Sequence, residues 1–212
     1  MQLSIRAPCL SSVTMKKGTI VILAVVGALG LWVASGYNRL VGLGQAVEAQ
    51  WAEVENTYQR RADLIPNLVE TVKGAANFER GTLTAVTEAR ARVGQITPQA
   101  TEKIVNDPAA FQRFQQAQDG LSSALSRLLV VSEAYPDLKA TASFRDLQAQ
   151  LEGTENRIAV ARMRFNEAAQ GFNSARNRFP TVLVAGLFGN RFAEKAYFKA
   201  QAGAATAPQV KF

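Results

Sequence analysis

The chain contains no histidine and only one cysteine, Cys9. Without histidine it lacks the commonest protein ligand of metals and the usual general base at neutral pH. This absence excludes zinc fingers of the Cys/His type, Ser-His-Asp catalysis and the Glu-x-x-His sets of di-iron bundles. A single cysteine excludes a disulfide framework, and glycine-rich loops of the P-loop or Rossmann kind are absent too. We therefore expect a protein that is not an enzyme and has no catalytic residue, cofactor or metal site.

Acidic residues are also in deficit, since 17 Asp and Glu face 24 Lys and Arg, for a formal net charge of +7. Three of the basic residues lie in the first 17 positions, and residues 37–212 carry a net charge of only +4. A positive excess spread so thinly is typical of a solvated surface. No compact Lys/Arg block with interleaved aromatic residues occurs, so we expect no nucleic-acid partner. The length of 212 residues fits one domain plus an appendage.

The appendage lies near the N-terminus, where residues 18–36 read GTIVILAVVGALGLWVASG without a charged side chain. As a helix, these 19 residues would extend for about 28 Å, close to the hydrocarbon thickness of a bilayer. Trp32 and Tyr37 at the far end are residues favoured at the membrane interface. Two lysines directly precede the run, and Arg39 alone closely follows it. We predict a single transmembrane anchor with the N-terminus in the cytoplasm and the body outside it.

Two alternatives remain open for this end of the chain. The first is a cleaved signal peptide, since Ala34-Ser35-Gly36 has the small residues of a cleavage site. The apolar run is longer than a typical signal core, which favours a retained anchor. The second concerns residues 1–17, taken here as a cytoplasmic segment. MKKGTIVILAVV, beginning at Met15, is a compact charged-then-apolar signal, so residues 1–14, including Cys9, are interpreted as a non-native extension.

Small side chains line one side of the predicted anchor at Ala24, Gly27, Gly30 and Ala34. Small residues let transmembrane helices approach closely, so this side is a candidate surface for self-association. Glycine and alanine are also common in such helices without that role. Both interpretations remain open.

Residues 37–179 have the pattern of helices nearly throughout, interrupted by four prolines and without useful strand alternation. In the first segment apolar positions recur every 3.6 residues, the period of a straight amphipathic helix. Pro66 lies inside this pattern and is expected to kink the helix without ending it. Because no flexible linker separates this segment from the anchor, we interpret the two as one continuous helix. The apolar positions are Leu40, Leu43, Val47, Trp51, Val54, Tyr58, Ala62, Ile65, Val69, Val72 and Ala76.

Two further helices follow. The first is predicted over about residues 80–96 and is stopped by Thr97-Pro98, because a residue before proline is pushed out of helical geometry. The second opens with Asp107 as its cap and Pro108 in its first turn. Pro136 is expected to close it.

The last long helix has apolar residues every 3.5 positions, a spacing that implies left-handed supercoiling of the coiled-coil type. Four amphipathic helices with short connections bury their apolar faces against one another. The predicted fold class is therefore all-α, with a single transmembrane helix followed by an antiparallel up-and-down four-helix bundle of long helices over residues 37–179. The apolar positions of this last helix are Phe144, Leu147, Leu151, Thr154, Ile158, Ala161, Phe165, Ala168, Phe172, Ala175 and Phe179.

The chain changes character after Pro180. Residues 181–198 are apolar and punctuated by glycine, and residues 200–212 are small and polar. We predict an apolar flap and a disordered tail over residues 180–212. The flap either packs on the end of the bundle or contacts the membrane surface or a partner, with Phe188 and Phe198 as candidate contact positions.

Two long stretches carry a family resemblance: YNRLVGLGQAVEAQWAEVENTYQRRADLIPNLVETVKG at residues 37–74 and LEGTENRIAVARMRFNEAAQGFNSARNRFP at residues 151–180. With the lysine-led anchor and the ending AGLFGNRFAEKAYF, the chain resembles the LemA family over nearly all of residues 15–200. The resemblance implies a single-pass protein of the bacterial cytoplasmic (inner) membrane with an antiparallel helical bundle. A related branch belongs to magnetosome membranes, which implies membrane organisation. The family has no established catalytic residues, so none is carried over.

Polar residues surround the expected kink of the first helix. Arg61 precedes it, and Asp63 and Asn67 lie one helical turn apart on either side of the Leu64-Ile65-Pro66 sequence. The functional interpretation is a polar ligand site at the kink. The alternative is that these side chains satisfy backbone groups and the neighbouring helix.

A second polar series lies on the last long helix, where Glu155, Arg162, Asn166, Asn173 and Arg176 recur. These residues either form an interhelical ladder of ion pairs and hydrogen bonds that fixes the register, or bind a phosphate-bearing ligand through arginine forks. Both interpretations remain open.

The expected function follows from the anchor, the heptads and the lack of catalytic chemistry. We expect a membrane-anchored, non-catalytic helical-bundle protein that acts as a scaffold or adaptor in membrane organisation. Its expected partners are the lipid bilayer, further copies of itself and a membrane or periplasmic protein of unknown identity. The alternative function is binding of anionic lipid or of a phosphate-bearing ligand through the arginines of the last long helix.

Overall fold

The regular structure is helical throughout the residues that the computed structural model describes, 17–74, 78–96 and 104–199. The all-helical prediction, with one long apolar N-terminal helix, is thereby confirmed for these ranges. The predictions made for residues 1–16, for Ala76, for the helix stop at Thr97-Pro98 and for the tail at 200–212 lie outside them. The elements are α1 (Lys17–Lys73), α2 (Arg80–Ile96), α3 (Pro108–Ser132), α4 (Pro136–Ala140), α5 (Ala142–Asn177), α6 (Thr181–Leu187) and a 3-10 turn (Gly189–Phe192).

Helix α1 is a single helix of 57 residues that continues through Pro66. At about 1.5 Å per residue it extends for about 86 Å. Its N-terminal part is the one stretch of the described chain that is long and apolar enough to cross a membrane, and none of that stretch is buried by the rest of the protein. The expected continuity between the anchor and the body is confirmed.

Local signals set the ends of the shorter helices. The Asp107 carboxylate accepts hydrogen bonds from the backbone N–H groups of Ala109 (2.9 Å) and Ala110 (3.2 Å), so the predicted cap of α3 is confirmed. The predicted bounds of α2 are confirmed as well. The five-residue helix α4 was not predicted; it begins at Pro136, because proline fits the first turn of a helix as readily as it ends one.

Helices α1 and α5 pack against each other in antiparallel directions. Contacts pair Trp51 with Phe165 near one end and Arg61 with Glu155 farther along. Helix α3 runs beside α1 in the same direction, since the Trp51 ring packs on Phe111 and Arg61 reaches the side chain of Gln118. Helix α2 packs on α3.

Two apolar clusters form the core. The cluster nearer the anchor is aromatic, with Trp51 packed against Phe111, Phe114, Phe165 and Phe198 at ring-centroid distances of 5.2–6.2 Å. The distal cluster is mainly aliphatic and joins the far ends of α1, α3 and α5 with α2 and α4. Its buried members are Ile65, Leu68, Val69, Val72, Phe78, Leu83, Val86, Ala89, Val93, Leu121, Leu125, Leu128, Leu138, Phe144 and Leu151.

The structure corrects two positions in the predicted apolar faces. The first face included Ala62, but Arg61 is the fully buried residue at this level. Steps of three or four residues both fit a period of 3.6, and the approach of α3 and α5 selects Arg61. The last face ended at Phe179, which is 81% exposed. Helix α5 stops at Asn177, because the residue before Pro180 is driven out of helical geometry.

Candidate functional site

Residues 193–199, called the arm below, form a non-helical segment packed along the side of α5. Ala193 has φ −57° and ψ 149°, the values of a polyproline II conformation. Phe192, Lys195 and Phe198 are buried, a spacing of three that matches three residues per turn of that conformation. Phe198, one of the two candidate contact positions of the flap, is only 8% exposed and lies in the aromatic core. It is therefore an internal packing residue, and the flap does not simply cover the bundle end.

Two asparagines of α5 hold the backbone of the arm. Asn173 Nδ2 donates to the carbonyl of Lys195 (2.9 Å), and Asn173 Oδ1 accepts from the Lys195 N–H (2.9 Å). Asn166 makes the same pair of bonds with Phe198, at 3.0 and 2.9 Å. The two amides are seven residues apart on α5 and the two peptide groups three apart on the arm, so one helix face matches one face of the arm.

Helix α3 secures the end of the arm in a third such pair. Gln115 Nε2 donates to the Lys199 carbonyl (2.8 Å), and its Oε1 accepts from the Lys199 N–H (3.3 Å). The Ala196 N–H also donates to the carbonyl of Val105 (3.3 Å). An arm held by its backbone satisfies the polar groups that burial would otherwise leave without partners.

The side chain of Lys195, a residue of the arm, is buried. Its Nζ donates to Asn106 Oδ1 and lies 5.0 Å from the centre of the Phe172 ring. Burial lowers the pKa of Lys195, while the carboxylate of Glu48 on α1 acts in the opposite direction. The Asn106 amide oxygen and the face of the Phe172 ring replace part of the hydration that the ammonium group loses on burial.

The expected result of replacing Asn173 by aspartate is release of the arm. Asp keeps the shape and one acceptor but loses the amide donor, so the Lys195 carbonyl would face a carboxylate oxygen. We expect a cost of about 2 kcal/mol, or a roughly 30-fold larger open population. Limited trypsin cleavage after Lys195 measures this population. Asn156→Asp, the same change on the exposed side of α5, should leave cleavage unchanged; equal rates in both variants would contradict the clamp.

Arg61 occupies the centre of the body, with 0% of its side chain exposed. Its Nη1 donates to Ser122 Oγ (2.6 Å) and Glu155 Oε1 (2.7 Å). Its Nη2 donates to both the carbonyl and the side-chain oxygen of Gln118. One guanidinium thus joins α1, α3 and α5.

Arg162, Tyr58 and Asp119 form a second polar layer, which lies next to the Arg61 layer on the side of the anchor. Arg162 Nε donates to the Tyr58 hydroxyl, and its Nη2 donates to Asp119 Oδ1 (3.1 Å). Its guanidinium also lies 5.0 Å from the Phe198 ring centre. Burial raises the pKa of Tyr58, against the opposing effect of Arg162. Burial alone would lower the pKa of Arg162, but Tyr58 and Asp119 outweigh it and the pKa is raised.

The structure does not bring the residues of the expected kink site together. Asp63 and Asn67 are exposed, whereas Arg61 points into the core. Asp63 Oδ1 accepts a hydrogen bond from Gln59 one turn earlier on the same helix (2.7 Å). The carbonyl of Asn67 accepts from Thr71 (2.8 Å).

The polar series of α5 makes contacts inside the protein. Its two asparagines bond to the arm, Arg176 bonds to the 3-10 turn before the arm, and Glu155 and Arg162 bond to α1 and α3. Arg176 Nε donates to the carbonyl of Phe192 (2.6 Å) and its Nη1 to Asn177 (2.7 Å). Arg162, Asn166 and Asn173 are likewise engaged inside the protein. This arrangement favours the structural ladder over a phosphate site on these arginines, because Nε and one Nη of Arg162 and of Arg176 already donate inside the protein.

Sequence reasoning missed Gln115, Gln118, Asp119 and Lys195 as members of these contacts. Gln118 carried a usable signal, since it lies between Phe114 and Leu121 at helical spacing and is buried. A polar residue inside an apolar face indicates a buried partner. Gln115 and Lys195 carried no such signal, because the course of the arm decides their contacts.

The distal end of the body carries a cleft of about 750 Å³ lined by residues that include Glu70, Asp137, Thr141 and Ser143. These side chains support hydrogen bonding. Across the described part of the chain, no group of three or more His, Cys, Asp or Glu could hold a metal ion.

The amino-acid sequence is similar to those of known proteins. The model of the LemA family matches residues 50–212. Magnetosome protein MamQ 2 of Paramagnetospirillum magneticum is 26% identical over 177 residues, which cover 77% of this chain and 64% of that protein. Magnetosome protein MamQ of Magnetospirillum gryphiswaldense is 26% identical over 176 residues, covering 76% and 64%. Protein LemA of Metamycoplasma hominis is 23% identical over 148 residues, covering 70% and 63%. The matched region thus spans less than two thirds of these relatives.

Proposed function

Since this chain belongs to the LemA family, we propose that it is a membrane-anchored, non-catalytic scaffold or adaptor in membrane organisation. In this proposal residues 18–36 cross the bacterial cytoplasmic (inner) membrane, with the N-terminus in the cytoplasm and the body outside. The body holds neighbouring copies, or a membrane or periplasmic partner, at a set distance from the bilayer.

The observation that carries the proposal is the continuity of α1. The apolar stretch and the part of α1 that packs on α5 belong to one helix without an intervening loop. A flexible linker would let the body point in any direction, whereas a helix is a stiff spacer. Every anchored copy therefore presents the same faces at the same height, which is what a scaffold requires.

We also propose that α1, α2, α3 and α5 form an antiparallel four-helix bundle of long helices with coiled-coil-like packing. The pairing of α1 with α5 and of α2 with α3 supports this. The buried arginine layers favour a fixed register of α1, α3 and α5, because shifting one of these helices would leave a charged group without its partners in the core.

The named relatives support the membrane setting. Two of them are magnetosome proteins by name, and the described chain has a helix suited to membrane anchoring. The polar side chains of the body support a non-catalytic role, since Arg61, Arg162, Asn166 and Asn173 are used in internal contacts.

Self-association is the first part of the proposal to test, using the small-residue side of the anchor. A Cβ atom added at Gly27 or Gly30 meets no other described atom within 4 Å, so larger residues leave the monomer intact. If copies associate there, Gly27→Leu with Gly30→Leu is expected to reduce co-purification of two differently tagged full-length copies from membranes about tenfold, a loss of about 1.4 kcal/mol.

The matched control for this test is Val25→Phe, which adds bulk on the other side of the same helix. It should leave co-purification unchanged. Copies that do not co-purify in any variant, and show no recurrent neighbour on cross-linking in membranes, would contradict the scaffold. Deleting residues 181–212 is unsuitable as a test, because Phe192 and Phe198 belong to the core.

A further inference from the structure

Helix α6 packs against α1 at the point where the apolar stretch ends. A Cβ atom at Gly36 would lie 3.2 Å from Val184 Cγ2, so the two helices make close contact there. The next residue, Tyr37, packs its ring on Phe188 and Phe192 at centroid distances of 4.8 and 5.4 Å. Since Gly36 closes the predicted span, α6 lies at the level of the membrane surface.

Residues 178–191, called the foot below, have an outward face that is apolar. Val184 packs against α1 and Ala185 is buried, whereas five large apolar side chains of the same segment remain exposed. One of the five, Phe188, also contacts the Tyr37 ring. Monomeric soluble proteins seldom leave such a group of large apolar side chains in water. The exposed members are Phe179, Val182, Leu183, Leu187 and Phe188.

The charge around the foot is positive. Residues 17–47 and 168–193 contain no Asp or Glu. Arg39, Arg178 and Arg191 are exposed in this region, and the Arg191 guanidinium lies 5.5 Å from the Tyr37 ring centre. The arginines that face outward at this end are therefore different from Arg162, whose donors are used inside the body.

We propose that the foot is a lipid-binding site that lies in the bilayer interface and binds anionic phospholipid. The apolar side chains enter the boundary between headgroups and acyl chains, as in helices that lie on membranes. Arg39, Arg178 and Arg191 bind phosphate groups of the lipid headgroups through their guanidinium forks. This proposal rests on the anchoring of residues 18–36 in a membrane and adds a second contact that orients the body.

Continuity of apolar surface selects lipid as the occupant. The exposed side chains of α1 before Gly36 face the bilayer in the proposed anchoring, and Trp32 lies one turn before Gly36. The foot extends that surface sideways at the same height. Basic residues beside it are attracted to anionic lipid by about 1 kcal/mol each, which corresponds to roughly fivefold per residue.

The test measures the depth of single positions in full-length protein reconstituted in vesicles. In a Cys9→Ser background, an environment-sensitive dye is attached to Leu187→Cys, and vesicles of phosphatidylcholine with or without phosphatidylglycerol carry nitroxide-labelled lipid as quencher. Val130→Cys on α3 is the matched control, since Val130 is 70% and Leu187 73% exposed. Leu23→Cys, inside the predicted span, reports the anchor itself.

The expected result is strong quenching at Leu23 and Leu187 and none above background at Val130. Adding phosphatidylglycerol should shift the foot toward the inserted state, and Arg178→Gln with Arg191→Gln should reduce this shift by roughly fivefold for each arginine. Arg145→Gln, an exposed change on distal α5, should have no effect. Leu183→Cys, a second exposed position on α6, serves if the Leu187 variant does not fold.

Three outcomes would overturn the proposal. Quenching at Leu23 but not at Leu187 would show that the foot does not insert into the bilayer, although residues 18–36 do. A Leu187 dye that is shielded from water but not quenched would mean that protein covers the foot. Equal insertion of the foot with and without phosphatidylglycerol would show that it does not bind anionic phospholipid. Absence of quenching at Leu23 would instead show that the anchoring proposal itself had failed.

Discussion

Replacing Arg61 by alanine is expected to lower the free energy of unfolding by about 3–5 kcal/mol, because it leaves a cavity in the core and removes the hydrogen-bond partner of the buried Gln118. The guanidinium is fully buried and bonds to Gln118, Ser122 and Glu155. Its removal leaves these groups facing a cavity between three helices. Thermal unfolding of the full-length protein in detergent, followed by circular dichroism, should show a midpoint about 10 °C lower.

Two variants separate the buried network from a general effect of losing a charge. Arg60→Ala removes the neighbouring arginine, which is exposed, and should change the midpoint by less than about 2 °C. Arg61→Lys keeps the charge but not the planar fork, so it should fall between the wild type and Arg61→Ala. An Arg61→Ala midpoint equal to that of Arg60→Ala would show that the contacts across α1, α3 and α5 contribute nothing.

Replacing Trp51 by alanine is expected to lower the free energy of unfolding by about 3–5 kcal/mol, because apolar burial is lost and a cavity is left behind. The indole ring packs on Phe111, Phe114, Phe165 and Phe198. It therefore holds α3, α5 and the arm to α1. Besides a lower unfolding midpoint, faster trypsin cleavage after Lys195 is expected, because Phe198 loses its packing partner.

The control for this substitution is Trp32→Ala, which removes the other tryptophan from an exposed position in the apolar stretch. It should leave the body's unfolding midpoint and the cleavage rate unchanged. Trp51→Phe keeps an aromatic ring of smaller volume and should cost less than half as much as alanine. A lower midpoint without faster cleavage would show that the arm is held by Asn166, Asn173 and Gln115 alone.

The polar residues of the candidate site were predictable as a set but not in their contacts. Arg162, Asn166, Asn173 and Arg176 recur on one helix, and heptad spacing indicates that they share a face. Their partners depend on what lies opposite that face. An adjacent helix was the natural expectation, whereas the arm supplies much of the contact, because extended backbone offers the N–H and C=O groups that side-chain amides bind in pairs.

The sequence by itself determined the long helices, most of their ends and the one apolar run suited to a membrane, because these depend on interactions within a few residues. Apolar periodicity, the Asp107 cap, proline positions and an uncharged run of 19 residues all act locally. Only the tertiary structure decided that Arg61 rather than Ala62 lies in the core and that Phe198 is buried. It also decided that Asp63 and Asn67 face water. A period of 3.6 leaves a choice between neighbouring positions, and long-range packing makes that choice.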